Sequence, residues 1–400
     1  MYIRAEEYCK RVFDGTHDSP KPKDEGRLLI TSKNILNQEL NFKDAYLISP
    51  EEFDKVNKRS QIHQWDILFS MIGTVGSIYL ERNSEINYCI KNMGVFSCGD
   101  KDKAEWLYYY LQSDEVKKRI NAFMSGAVQK FVPLQFLRNL PVPEYDESKR
   151  NVAIVLSSID KRIENLRAQN RVLEQTAKTI YDYTFLQCAG HQTTYNKTLN
   201  RNIPTNWEVK KLSDVADILS GGTPKTARQD FWDGDIPWLS VKDFNIESTY
   251  VLNSERKITK LGLDNCSATL LEEDDIVMSA RGTVGVMTMV PYAMTFNQSC
   301  FGFHAKNISG NSPYFLYYTL KTTVNELVAG SHGSVFNTIS RDDLGRVNVV
   351  FPDSQSLDKF NVQVKPIFKK QLINTKQIET LTTQRNTLLP LLMTGQITIK

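Results

Sequence analysis

The sequence predicts an α+β protein. Two mixed α/β globules stand in pseudo-twofold repeat, separated by an antiparallel two-helix coiled-coil spacer. Three observations lead there: a tandem repeat through the chain, short apolar runs punctuated by glycine within each copy, and a heptad pattern closing each copy. Asp66-Ile67-Leu68-Phe69-Ser70 followed by Gly73-Thr74-Val75-Gly76 returns as Asp275-Ile276-Val277-Met278-Ser279 followed by Gly282-Thr283-Val284-Gly285. The second copy lies 209 residues after the first in a chain of 400. Leu29 to Lys33 recurs as Trp238 to Lys242, and Leu107-Tyr108-Tyr109 as Leu316-Tyr317-Tyr318, at the same distance.

The first part of each copy, residues 1–146 and 206–352, reads as a globule. Runs such as Leu28-Leu29-Ile30 between Gly, Asn and Ser are strands and turns. Residues 107–120 and 313–327 carry apolar residues at helical spacing. Prolines at 141, 143 and 352 close the globules, since a residue before proline is pushed out of helical geometry.

Each globule is followed by a long helix, in residues 147–187 and 353–400. Val152, Leu156, Ile159, Ile163, Leu166, Asn170, Leu173, Ala177 and Ile180 follow alternating steps of four and three. Phe360, Val364, Ile367, Gln371, Asn374, Ile378, Leu381, Arg385, Leu388 and Leu392 repeat that phase. So narrow a seam suits two helices paired with each other better than a helix facing a globule's core. Pro366 should kink the second helix or mark its start. A polar connector, 188–205, shows no periodic apolar pattern. A helix of about 33 residues at ~1.5 Å per residue makes a spacer of ~50 Å, on the order of fifteen base-pair steps. Two similar surfaces at fixed separation suit two half-sites on one duplex. Globule two opens with 207–212, for which globule one shows no counterpart. The C-terminal tail 396–400 is therefore expected to dock on globule one in its place.

Bulk properties exclude several classes. A net charge of +3 is too small for a protein that coats nucleic acid unaided. The six cysteines form no CxxC pair and read as buried thiols in a reducing compartment. The start lacks a signal-peptide core and no run of 18 apolar residues occurs, so no membrane is expected and the location is cytoplasmic. No phosphate loop, GxGxxG or HExxH motif is present, and the five histidines show no metal-ligand spacing. No catalytic residue, metal or cofactor is therefore assigned to the chain.

What recurs instead is a polar, glycine-punctuated set. In the first half it comprises Thr16, His17, Ser32, Lys33, Asn34, Ser70, Thr74, Gln129 and Lys130. In the second it comprises Thr223, Lys225, Lys242, Asp243, Ser279, Arg281, Thr283, His332, Ser334, Asn337 and Arg341. Hydroxyl, amide and cationic donors on such loops suit phosphates and base edges: Arg281 or Lys33 for guanine, Asn34, Gln129 or Asn337 for adenine. Outside the seam, Lys161, Arg162, Arg167, Arg171, Lys369, Lys370 and Lys376 face either spacer DNA or acidic partners, or simply solvent.

Several of these motifs resemble one family. Trp207-x-x-x-x-Leu212, then Gly221-Gly222-Thr223-Pro224, then the Asp275 to Gly285 run, resemble the target-recognition domains of the specificity (S) subunit of type I restriction-modification enzymes. The closing Leu381-x-x-x-Arg385-x-x-Leu388-Leu389-Pro390-x-Leu392-Met393-x-Gly395 is similar to the end of that family's second conserved helix. The segment 173–183 is similar to the end of its first. Globule one departs from the pattern in lacking the Trp-containing opening and the Thr-Pro after its glycine.

The resemblance implies a non-catalytic subunit that reads a bipartite site on double-stranded DNA, one half-site per domain. It implies two copies of an adenine-N6 methyltransferase (M) subunit and a restriction (R) translocase/nuclease subunit as partners. S-adenosylmethionine, ATP and Mg would belong to those partners. A stand-alone bipartite DNA-binding protein, repressor-like, is the alternative, and a coiled-coil scaffold joining proteins is a third.

Overall fold

Every residue of the strand Asp66–Ser70 is buried, because both of its faces are covered. Ile67 and Phe69 point into one apolar cluster and Leu68 into another, the alternation a strand imposes. In the second copy Ile276 and Met278 share one cluster and Val277 enters another. Each strand is central in a four-stranded antiparallel sheet. The order is Arg11–Asp14, Met93–Ser97, Asp66–Ser70, Ile78–Leu80 in one, and Ala216–Ser220, Cys300–Ala305, Ile276–Ser279, Met287–Met289 in the other. The computed structural model describes residues 1–36, 38–125, 131–244, 248–330 and 338–399. They form two compact units, one of residues 1–162 with 381–400 (unit one), the other of residues 163–380 (unit two).

A second small sheet lies beside the first in each unit. Arg27–Ile30 pairs in parallel with Tyr88–Ile90, and Trp232–Leu239 in parallel with Thr295–Phe296. A 3-10 turn then follows, Ser32–Asn34 or Val241–Asp243, closed by Thr31 with Asn34 and by Ser240 with Asp243. Both capping pairs stand 209 residues apart, so the repeat extends to hydrogen-bonded detail. Helices Lys101–Leu111 and Pro313–Gly330 cover the large sheets with the aromatic residues of the repeat. Tyr108, Tyr109, Tyr317 and Tyr318 are almost fully buried.

The opening missing from globule one is present. Tyr2–Arg4 pairs antiparallel with Pro141–Pro143 and leads into the helical turn Ala5–Tyr8. This matches Glu208–Lys211, paired with Asn348–Phe351, and its turn Leu212–Val215. Apolar spacing hid it, since Tyr-Ile-Arg carries one inward residue. The C-terminal tail therefore replaces no strand: residues 394–399 form none, although half-buried Ile399 packs on unit one's core. The connector is also not featureless, because Thr193–Asn196 and Arg201–Pro204 form a hairpin.

The long helices run Glu147–Tyr181 and Ser354–Met393. Pro366 neither starts nor ends the second. It is exposed, and Val362, whose carbonyl loses its partner, is 75% exposed, so water can take that bond. No seam position from Val152 to Ile180 or Phe360 to Leu392 is fully exposed. Burial is wider than the seam at the ends. Ala153 and Leu156 join unit one's core with Leu389 and Leu392, while Ala177, Phe360, Val364 and Phe368 join unit two's. Helix ends thus pack on globules. In unit two the helices also pair directly: Asn374 Nδ2 donates to Asn170 Oδ1 at 3.0 Å, and Gln371 Nε2 to Glu174 Oε2 at 3.3 Å. One partner rises in number as the other falls, so the helices are antiparallel there.

Candidate nucleic-acid interface

Each large sheet ends in the same turn. Gly73 and Gly282 both have φ 75°, which a Cβ-bearing residue rarely adopts. Gly76 N–H donates to the Ser70 carbonyl at 3.0 Å, and Gly285 N–H to that of Ser279 at 2.9 Å. The segment beyond the covering helix zips onto this turn. Ile72 bridges Phe131 with Val132 N–H donating to Met71 at 2.9 Å, and Arg281 bridges Thr338 with Ile339 N–H donating to Ala280 at 3.0 Å. One backbone frame thus offers different side chains at the same place in the two units.

In unit one this turn adjoins the 3-10 turn, since Ser32 Oγ lies 3.7 Å from where a Cβ on Gly73 would sit. Thr74 and Lys33 are exposed. Half-buried Thr16 bridges Lys91, and its hydroxyl accepts from Asp18 N–H at 3.1 Å. Exposed His17 is held by Asn92 Oδ1 at 2.9 Å and Asp14 Oδ2 at 2.8 Å, and Arg59 meets Asp14's other oxygen at 2.9 Å. The hydrogen bonds to Asn92 and Asp14 raise the His17 pKa above its ordinary value and favour the cation.

In unit two, loops 221–223, 280–283 and 297–299 converge. Gly222 N–H donates to Phe296, and Ala280 N–H to Ser299. A Cβ on Gly221 would lie 2.1 Å from the Asn297 carbonyl, so the approach needs glycine. Exposed Thr223 hydrogen-bonds Gln298. Lys225, Lys242, Arg281 and Thr283 are exposed.

Four expected contacts have structural roles instead, and a fifth, Arg341, lies away from the tip loops. Asn34 is buried, accepting from Thr31 N–H and donating to the Asn41 carbonyl, so it cannot reach adenine. Ser70 and Ser279 are fully buried and donate to the carbonyls of Ile72 and Thr283, bracing the glycine turns. Asp243 accepts from Ser240 and from Glu255 N–H, so both of its oxygens are occupied. Arg341, although exposed, opens the helix Arg341–Arg346 and lines a cavity with Ala216, Asp217 and Lys306, toward the end of the strand opposite Ser220. Short polar side chains serve as caps as readily as readers, which spacing alone does not separate. Gln129, Lys130, His332, Ser334 and Asn337 lie outside the described residues.

The sequence reading missed Asp14, Arg59 and Asn92, which hold His17, and Gln298, which holds Thr223. The signal for Gln298 was Asn297-Gln298-Ser299, a polar triplet between two buried strands. Asp275 Oδ1 accepts from His304 Nδ1 at 2.7 Å, and burial raises the pKa of Asp275, as it does for its repeat partner Asp66. Among the described residues no group of three or more His, Cys, Asp or Glu is placed to hold a metal. No helix there is long and apolar enough to cross a membrane.

Comparison with known proteins gives a consistent result. The family model for the type I restriction modification DNA specificity domain matches residues 18–175 and 204–385. The MjaIX specificity subunit of a type I restriction enzyme from Methanocaldococcus jannaschii is 26% identical over 341 residues, covering 81% of this chain and 78% of that protein. The putative MjaX specificity subunit of the same organism is 23% identical over 348 residues, covering 84% and 79%. The crystal structure of the type I restriction-modification S subunit from M. genitalium matches with a TM-score of 0.57 at 15% identity, over 98% of this chain and 95% of that one.

Proposed function

The chain belongs to the type I restriction-modification DNA specificity family, and from that premise we propose how it reads DNA. It is the recognition subunit of such a complex, and each unit takes one half of a bipartite sequence on double-stranded DNA. The observation that carries this is the repeated glycine turn: matching glycine φ values and the same closing hydrogen bond within residues 70–76 and 279–285, with Ile72 beside one and Arg281 beside the other. Two readers of one ancestry that recognise different sequences should differ there and agree elsewhere.

The candidate donors are Lys33, Thr74 and cationic His17 in unit one, and Thr223, Lys242, Arg281 and Thr283 in unit two. The long helices form an antiparallel coiled-coil spacer that sets the unread gap between half-sites. Their lengths of 35 and 40 residues and the Asn170–Asn374 pairing support that reading. The chain itself does no chemistry. It holds two adenine-N6 methyltransferase subunits that use S-adenosylmethionine, and a restriction subunit that uses ATP and Mg, in the cytoplasm. A net charge of +3 fits a protein that grips DNA tightly only once partners complete the footprint.

The test is a genome-wide map of N6-methyladenine in cells expressing the chain with its methyltransferase. A single motif of two defined halves around an unread gap is expected. One extra heptad in both helices should widen the gap and leave the halves unchanged. A continuous motif, or a gap indifferent to helix length, refutes the proposal.

A further inference from the structure

We propose that Ile72 and Phe131 are the base-reading contact of unit one and take the C5-methyl group of a thymine in the major groove. The inference rests on the DNA-reading function proposed above and adds the chemistry of one position. Large apolar side chains left in water call for a partner, and these two are 48% and 41% exposed while adjacent across one bridge. They occupy the place that Arg281 and Thr338 fill in unit two, beside a glycine of equal φ. Arg281 suits the two acceptors of guanine. Neither Ile72 nor Phe131 can form a side-chain hydrogen bond. The thymine methyl is the one alkyl group on any base edge, and it lies in the major groove. Exposed Thr74 follows Ile72 by two residues, and Ser32, next to exposed Lys33, has its Oγ 3.7 Å from where a Cβ on Gly73 would sit, so groups suited to phosphates belong to the same tip.

The test uses the complex with its methyltransferase subunits and duplexes carrying the mapped site. Each thymine of half-site one is replaced in turn by uracil, which removes the methyl group and nothing else. One position should weaken binding about fourfold, the effect of one buried methyl. Ile72→Ala and Phe131→Ala should each abolish that thymine-to-uracil difference and leave uracil replacements in half-site two unaffected. Ile72→Arg should shift preference at that position toward guanine. The inference is overturned if half-site one contains no thymine, if every uracil is tolerated, or if the uracil penalty survives both alanine variants. Equal loss of binding to thymine and uracil duplexes in those variants, with reduced bending of the DNA, would instead indicate a minor-groove wedge and also overturn it. A complex that methylates no bipartite sequence would fail the broader reading, whereas a defined bipartite sequence without a methyl effect fails this one alone.

Discussion

Unit one joins its globule to the long helices through Asp160, and unit two does so through Glu174. Asp160 accepts from Tyr109 at 2.7 Å and from Arg385 at 3.0 Å, and this ion pair is nearly dry, with side chains 16% and 8% exposed. Glu174 accepts from the repeat partner Tyr318 at 3.1 Å, from Lys321 at 2.7 Å, from Thr249 and from Gln371, but its pair with Lys321 is 37% and 28% exposed. The tyrosine is common to both units and the carboxylate on the first long helix is common, yet the cation differs in identity, origin and burial. The repeat thus fixes where a globule meets a helix and leaves free how the charge is balanced. The tips follow the same rule: one backbone turn, with Ile72 in one unit and Arg281 in the other.

The difference in burial is the most direct place to break this comparison. Asp160→Ala leaves the largely buried Arg385 guanidinium without its counter-charge and with only the neutral acceptors of Gln38 and Asn386, at a cost of about 3–5 kcal/mol. Denaturant unfolding followed by hydrogen exchange should show the loss in residues 1–162 and 381–399. A cost below that of Glu174→Ala would refute the ranking. Glu174→Ala removes one acceptor from four donors, but water reaches Lys321, so about 1.5–3 kcal/mol is expected. Its effect should fall on residues 163–380. At the tips, Arg281→Ala should remove about 1–3 kcal/mol of discrimination at one base pair of half-site two. Methylation profiling should show half-site one unchanged, and relaxed specificity in both halves would remove Arg281 from the reading set.

The sequence exposed what the repeat and the heptads encode. Strand Asp66–Ser70, its copy, both long helices and the helix within Pro313–Gly330 were legible because their apolar periodicity is strong, whereas the run 107–120 is not one helix but parts of two, Lys101–Leu111 and Asp114–Ser125, broken at Gln112 and Ser113. Tyr2–Arg4 and the 193–204 hairpin were not, since each buries too few residues to make a pattern. At the site, Lys33 and Arg281 are exposed, Lys33 on the 3-10 turn Ser32–Asn34. Ser70, Ser279, Asn34 and Asp243 hold turns together instead, which the sequence did not reveal, because a serine that braces a turn and one that reads a base have the same letter. Only the hydrogen-bond partners tell them apart.

The smallest expected effect sharpens the contrast at the tips, because the described tip residues include a titrating cation in unit one alone. His17 is bonded to Asn92 and Asp14, with Arg59 on the far side of Asp14, and its pKa is raised chiefly by those two hydrogen bonds. The folded protein therefore favours the imidazolium. Its contribution is complete below the unfolded value of about 6.5 and is lost as pH rises through the raised one. Binding to half-site one should weaken over that interval by no more than about fivefold, as befits an exposed charge, and less at high salt. His17→Gln should flatten the profile, and Asn92→Ala should move its midpoint to lower pH because the hydrogen bond that most favours the cation is gone. Duplexes altered only in half-site two should show the same dependence as wild type. If the His17→Gln complex keeps the full pH slope, the titrating group lies elsewhere and His17 only braces the loop.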